Sequence, residues 1–295
     1  MFFYVANSFF YIVSQMGVFM KWRILVLSAF LCLAACGDDD SDFATRPDGK
    51  GSSSNSRASE GYVDPSTVVK GIMTDERDGQ TYETVTIGSQ TWMAENLNYA
   101  YTDVPYNYKK VALDTLSTSD STSWCYNDSA EYCAKYGRIY TWAAAMDSVG
   151  VWSTNGKGCG YGKACSPTYP VRGVCPEGWH LPSKAEFEIL FESVGGAQDI
   201  EYKWHGVGTV LKSTTEWNSG GNGTDIYAFS VLPAGRSCYG ANFYSEGTNA
   251  YFWNSTEEDD GYHAYYTYFY YDYDYVRLIA YYDESNGFSV RCVKD

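Results

Sequence analysis

Three histidines, His180, His205 and His263, are the side chains of this 295-residue sequence whose ordinary pKa lets them exchange protons near neutral pH. His180 lies in "GWHLPS" and reads as a packed or hydrogen-bonded structural residue rather than a base. His205 and His263 sit in polar stretches with no partner nearby in sequence. Carboxylates are abundant, and the run Glu257-Glu258-Asp259-Asp260 reads as a solvated turn. Clustered acids on a loop could also hold Ca2+, but the alternation of an EF-hand loop is missing. A glycosidase pair is defined by separation in space rather than in sequence, so that chemistry stays open. No Gly-x-Ser-x-Gly elbow, phosphate-binding loop or HExxH zinc motif is present.

Tyrosine is the other group that could carry a function. In "YYTYFYYDYDYVRLIAYY", residues 265–282, it fills nine of 18 positions. The alternation predicts three antiparallel strands, His263–Tyr271, Tyr275–Tyr282 and Phe288–Val293. In the first of them Tyr266, Tyr268 and Tyr270 share one face, and Tyr265, Thr267, Phe269 and Tyr271 share the other. A sheet with one buried face needs aromatic residues on one side only. Cross-strand pairing, worth about 0.2–1 kcal/mol per pair, explains part of the excess. The remainder suits a platform of rigid amphipathic rings for sugars or for another protein. The candidate ligand face is Trp253, Tyr266, Tyr268, Tyr270, Tyr273 and Tyr275.

These residues need a scaffold, and the composition bounds it. The chain is 45% apolar and 18% aromatic with a net charge of −15, too apolar to be disordered. The acid excess argues against nucleic acid, which calls for a Lys/Arg face, and against electrostatic docking on anionic lipid. "MKWRILVLSAFLCLAAC", Met20 to Cys36, has a basic start, an apolar run and small residues at its end. It reads as a secretory signal, too short to span a bilayer. Its last four residues, Leu33-Ala34-Ala35-Cys36, resemble a bacterial lipobox, which implies lipidation of Cys36 and anchoring by acyl chains. The following "GDDDSD" resembles an export tag for the outer face of the outer membrane. Residues 1–19 place apolar residues before the basic start, which suggests that Met20 is the true first residue. Residues 37–70, rich in Asp, Ser and Gly, read as a flexible tether. Residues 71–295 read as one domain.

Within it, Thr81–Ile87 and Gln90–Ala94 predict a hairpin around Gly88-Ser89. "YTWAAAMDS" predicts a short helix with Thr141 at its N-cap. A capping box, Ser183 with Glu186, opens a second helix whose stripe is Phe187, Leu190, Phe191 and Val194. Short strands are expected in "YAFSVLPAG", "AYFWNST" and the tyrosine region. Two short helices among many strands point to an α+β fold.

Nine cysteines are present. Cys32 leaves with the signal and Cys36 takes the lipid, so seven remain in an oxidising compartment. Cys125–Cys133 and Cys159–Cys165 are proposed as local pairs and Cys175–Cys292 as a long closure, leaving Cys238 free. No CxxC or paired Cys/His spacing suggests a metal, and no cofactor is expected.

Four segments, "TVTIGSQTWMAENLNYA", "YGRIYTWAAAM", "GVCPEGWHLPSKAEFEIL" and "GFSVRCVKD", in this order resemble the Fibrobacter succinogenes major paralogous domain family. The resemblance runs from about Gly71 to Asp295. It implies a lipid-anchored or secreted surface module with no settled activity. "GWHLPS" before a helix, with a closing cysteine strand, also resembles the C-type-lectin-like fold, which includes sugar-binding lectins and formylglycine-generating enzymes. The lectin calcium motifs do not carry over. Trp253-Asn254-Ser255 lacks the final carboxylate of Trp-Asn-Asp, and no Glu-Pro-Asn is present. The expectation is a cell-surface lipoprotein with a non-catalytic adhesion module for polysaccharide. The alternatives are an envelope module that binds protein and, less favoured, a hydrolase or formylglycine-type enzyme.

Overall fold

The computed structural model describes residues 61–102, 123–162, 164–238 and 242–295. Local signals in the sequence are realised where they are strongest. β2 (Thr81–Ile87) and β3 (Gln90–Met93) pair with Ile87 opposite Gln90, so Gly88 and Ser89 alone make the turn. Gly88 has φ 61°, the left-handed conformation that a two-residue hairpin turn asks for. The helix Trp142–Ala145 is capped by Thr141, whose hydroxyl accepts from the Ala144 amide at 3.2 Å. The helix Lys184–Ser193 carries both halves of the Ser183–Glu186 capping box. Its Phe187, Leu190, Phe191 and Val194 are all buried. Two further helices, Ala130–Tyr136 and Val207–Leu211, were not anticipated.

Three antiparallel sheets carry the rest. In the first, β1 (Val69–Thr74) lies outside β2, and β15 (Val293–Lys294) and β6 (Trp179–His180) follow β3. The second runs β10 (Asn242–Tyr244), β9 (Arg236–Cys238), β14 (Gly287–Phe288), β5 (Ile139–Thr141), β4 (Ser123–Trp124). The third runs β11 (Asn249–Glu257), β12 (Ala264–Tyr270), β13 (Val276–Ile279), β8 (Lys203–His205), β7 (Ala197–Gln198). Antiparallel sheets with a few short helices make the domain α+β, as expected.

The third sheet is sandwiched between two cores, and this resolves the two-sided aromatic pattern. Tyr251, Trp253, Ala264 and Tyr266 point into one core with Trp142, Phe288 and Val290. Phe252, Phe269, Val276 and Leu278 point into the other with Trp92, Phe187 and Trp204. Both faces need apolar side chains because both are covered. Full burial of each large side chain stabilises by about 1.5–3 kcal/mol.

Three expectations fail here. The final segment does not add a third strand beside β13. Phe288 pairs in the second sheet and Val293 in the first, so one short stretch ties two sheets together. Tyr227–Gly235 forms no strand beyond single bridges at Val231 and Gly235. Ala228 and Ser230 both have φ 54°, which breaks extended pairing there. The tether also ends before residue 70. The Val63 amide donates to the Ser193 carbonyl at 2.8 Å, and its own carbonyl accepts from the Tyr227 hydroxyl at 2.9 Å.

The three expected disulfides are present, with Cα separations of 4.9 Å (Cys125–Cys133), 5.0 Å (Cys159–Cys165) and 6.0 Å (Cys175–Cys292). Cys238, expected to be free, is disulfide-bonded as well. It ends β9 and is buried, so its sulfur sits inside the fold rather than at a reactive surface. The sequence argument from an odd count could not see this, because parity says nothing about which thiol the fold encloses.

Candidate functional site

The proposed ligand face divides in two. Trp253 and Tyr266 are 0% and 1% exposed, so neither can touch a ligand, which corrects their assignment. They are core residues. The Trp253 indole donates to the Tyr140 carbonyl at 2.8 Å, and the Tyr266 ring lies 4.9 Å from that of Phe288. Further along the same face the first core ends, and Tyr268, Tyr270, Tyr273 and Tyr275 are half-buried.

These four rings form a ladder. Ring centroids are 6.3 Å apart for Tyr268–Tyr270, 4.7 Å for Tyr270–Tyr273 and 4.5 Å for Tyr273–Tyr275. The last pair is stacked within 18°. The ladder is rooted in the core, because Tyr251 is buried and its ring lies 5.0 Å from Tyr268. Asn249 secures the junction by donating to the hydroxyls of Tyr251 (2.7 Å) and Tyr268 (3.4 Å).

Register then adds groups that the sequence reading missed. Arg277 lies opposite Tyr268 on one side and opposite Lys203 on the other. All three therefore share the ladder's face. The Lys203 ammonium lies 5.1 Å and the Arg277 guanidinium 5.9 Å from the Tyr275 ring centroid. The His205 ring lies 5.7 Å from it. Alternation from Tyr275 could have placed Arg277 on this face. Nothing local could have brought in residues 203–205, which arrive by long-range pairing. The carboxylates Glu201 and Asp199 pair with Lys203 (2.6 Å) and His205 (2.8 Å), so this edge is polar and close to charge balance. Burial pushes the Tyr275 hydroxyl up to about 12, so it remains a proton donor at all physiological pH values. The result is a run of tyrosine rings, tilted 32° and 49° to one another before the stacked end pair, flanked by hydrogen-bonding groups, so that aromatic and polar contacts are offered side by side.

The acidic run lies at the opposite end of the β11–β12 hairpin and behaves as a structured turn. Asp260 accepts from the amides of Tyr262 (2.8 Å) and His263 (3.0 Å) and contacts the His263 ring at 2.5 Å. Glu257 accepts from the Cys165 amide at 3.0 Å. Beside them Glu284 is fully buried. Burial, with the like charges of Glu257, Asp260 and Asp283, raises its carboxyl to about 9, so it is neutral. Among the described residues no group of three or more His, Cys, Asp or Glu is placed to hold a metal ion.

Each histidine has a carboxylate partner. His180 is held at both nitrogens, by Asp295 and Glu186 at 2.7 Å each, with Glu186 also closing the capping box. Burial opposes its charge, but the two carboxylates outweigh burial and raise its pKa. It is a staple between the C-terminus and a helix start, as the sequence suggested, not a free base.

One family sequence model, described as Fibrobacter succinogenes major domain, matches residues 85–294. No curated protein and no solved structure matches.

Proposed function

Because the chain belongs to the Fibrobacter succinogenes major domain family, and it carries a row of four half-buried, mutually packed tyrosines, we propose that it is a non-catalytic polysaccharide-binding module displayed at the cell surface. The observation that carries the reading is the row Tyr268–Tyr270–Tyr273–Tyr275, whose rings are spaced 4.5–6.3 Å apart and end in a stacked pair. A continuous aromatic strip suits the flat faces of successive sugar rings. Lys203, Arg277 and His205 beside it supply donors for their hydroxyls. The fold is read as C-type-lectin-like, on the "GWHLPS" segment leading into the capped helix and on the closing cysteine strand. Sequence features support the location. The signal from Met20, the lipobox ending at Cys36 and the acidic "GDDDSD" fit a lipoprotein anchored to the outer membrane and facing outward.

The test is retention of the full-length protein, purified oxidised in detergent, on insoluble cellulose and xylan, with and without EDTA. Wild type is expected to be retained in both buffers. Tyr273→Ala/Tyr275→Ala is expected to be released while its thermal unfolding is unchanged. Equal retention of wild type and the double variant would remove the ladder from the site. No retention of either would transfer the surface to an envelope protein partner.

A further inference from the structure

Lys212 follows the helix Val207–Leu211 and is 4% exposed. Among the described residues its ammonium meets no carboxylate at hydrogen-bond distance. It donates instead to three backbone carbonyls, those of Tyr270 (3.3 Å), Tyr271 (2.9 Å) and Tyr273 (3.1 Å). These carbonyls belong to the end of β12 and the turn toward β13. Tyr270 and Tyr273 are two of the four ladder rings, and Tyr275 stacks on Tyr273. The middle of the ladder therefore hangs from backbone that one cation gathers.

We propose that Lys212 is the positioning residue of the tyrosine ladder, a cationic latch whose proton sets the shape of the ligand surface. This deepens the polysaccharide reading and rests on it. Three carbonyls converging on one point repel each other unless a donor sits between them. An ammonium offers three N–H groups and matches the three acceptors, whereas a neutral amine offers two and turns a lone pair on the third. The rest of the turn is built around the same contact. The Gly208 amide donates to the Asp274 carbonyl at 2.7 Å, and a Cβ at Gly208 would come within 2.8 Å of that oxygen. The helix carrying Lys212 is thus pressed against the turn, and the lysine has little freedom to leave.

The latch is poised to respond to pH. Burial lowers the Lys212 pKa to about 8, opposed by Asp272 and Asp274, the two charged groups facing it from the turn. The Trp217 ring, 5.1 Å from the ammonium, and Gly223, close against its stem, carry no charge. Tyr275, pushed up to about 12, does not titrate in the same window. A surface of this kind holds ligand below about pH 8 and loosens above it.

The experiment is affinity electrophoresis of full-length protein in detergent through soluble xylan and hydroxyethyl cellulose, from pH 6.5 to 9.5. Lys212→Met and Lys212→Arg are run beside wild type, with hydrogen exchange of residues 270–275 measured at pH 7. Wild-type affinity is expected to fall about tenfold as pH passes 8, as for loss of one hydrogen bond from a charged donor. Lys212→Met is expected to bind weakly at every pH, and Lys212→Arg, always charged, to bind with a flat profile. Wild-type affinity that stays flat to pH 9.5, or wild-type-like binding by Lys212→Met, overturns the proposal. If Lys212→Met fails to fold, Lys212→Arg and the wild-type profile decide. If wild type binds neither polymer at any pH, the polysaccharide reading fails. The latch itself is then judged by exchange, which must be faster in Lys212→Met and restored in Lys212→Arg. Unchanged exchange overturns it.

Discussion

Removing the Cys175–Cys292 bridge is expected to cost far more than removing a local one. The bridge joins residues 117 apart in sequence, whereas Cys125–Cys133 joins residues 8 apart. Cross-linking stabilises mainly by restricting the unfolded chain, and the chain-entropy relation gives about 4.9 kcal/mol for the long loop and about 2.5 kcal/mol for the short one. Both Cys175 and Cys292 are fully buried in the first core, so alanine at each adds a packing loss to the entropic cost. The long bridge also lies four residues before the helix-leading strand β6 and one before β15, strands that pair with each other. Without it, the sheet that joins the start and end of the domain depends on two short ladders. The assay is urea unfolding of Cys175→Ala/Cys292→Ala, Cys125→Ala/Cys133→Ala and wild type under non-reducing conditions. At an m-value of about 3 kcal/mol per molar, the long-bridge variant should shift its midpoint by about 1.5 M and the short-bridge variant by about half that. A long-bridge variant that loses no more stability than the short-bridge variant would refute the argument from loop length.

Other perturbations follow from buried charges. His180→Gln is expected to destabilise most between about pH 4.5 and 6.5. The raised His180 pKa contributes fully below its ordinary 6.5 and is lost as pH rises through the folded value. The lowered Glu186 pKa contributes above its ordinary 4.5 and is lost as pH falls through the folded value. Chemical unfolding of wild type and variant across this range checks both edges. Glu284→Gln is expected to stabilise at pH 8 by up to about 5 kcal/mol, because the unfolded carboxyl ionises while the buried one keeps its proton to about 9. Thermal unfolding should show a flatter pH dependence, and a less stable variant at pH 8 would contradict it. Arg291→Met should cost about 3 kcal/mol in urea unfolding, since it leaves the carbonyls of Phe229 and Ser230 and the Asn96 side chain without their donor. Cys36→Ser should move the protein from the detergent phase to the aqueous phase in Triton X-114 partitioning, and an unchanged partition would exclude a lipid at that residue.

What the sequence determined by itself is local. The Ser183–Glu186 box, the Thr141 cap and the Gly88-Ser89 turn depend on atoms within a few residues, so residue type and spacing suffice. The same holds for Cys125–Cys133 and Cys159–Cys165, whose partners cannot travel far. The α+β character followed from counting such elements, and the family followed from four segments kept in order. Tertiary structure decided everything that depends on what covers a face. Alternation placed Tyr266, Tyr268 and Tyr270 on one side of a strand, but it assigned no depth along that side. Only the end of the first core separates buried Tyr266 from half-exposed Tyr268. Trp253 falls in the core for the same reason, because burial is a property of neighbours brought from elsewhere in the chain. Lys212 and the strand carrying Lys203 and His205 reach the ladder across some sixty to seventy residues of sequence. No spacing rule encodes such a contact, since it exists only once the sheet and the helix that packs on its turn have formed.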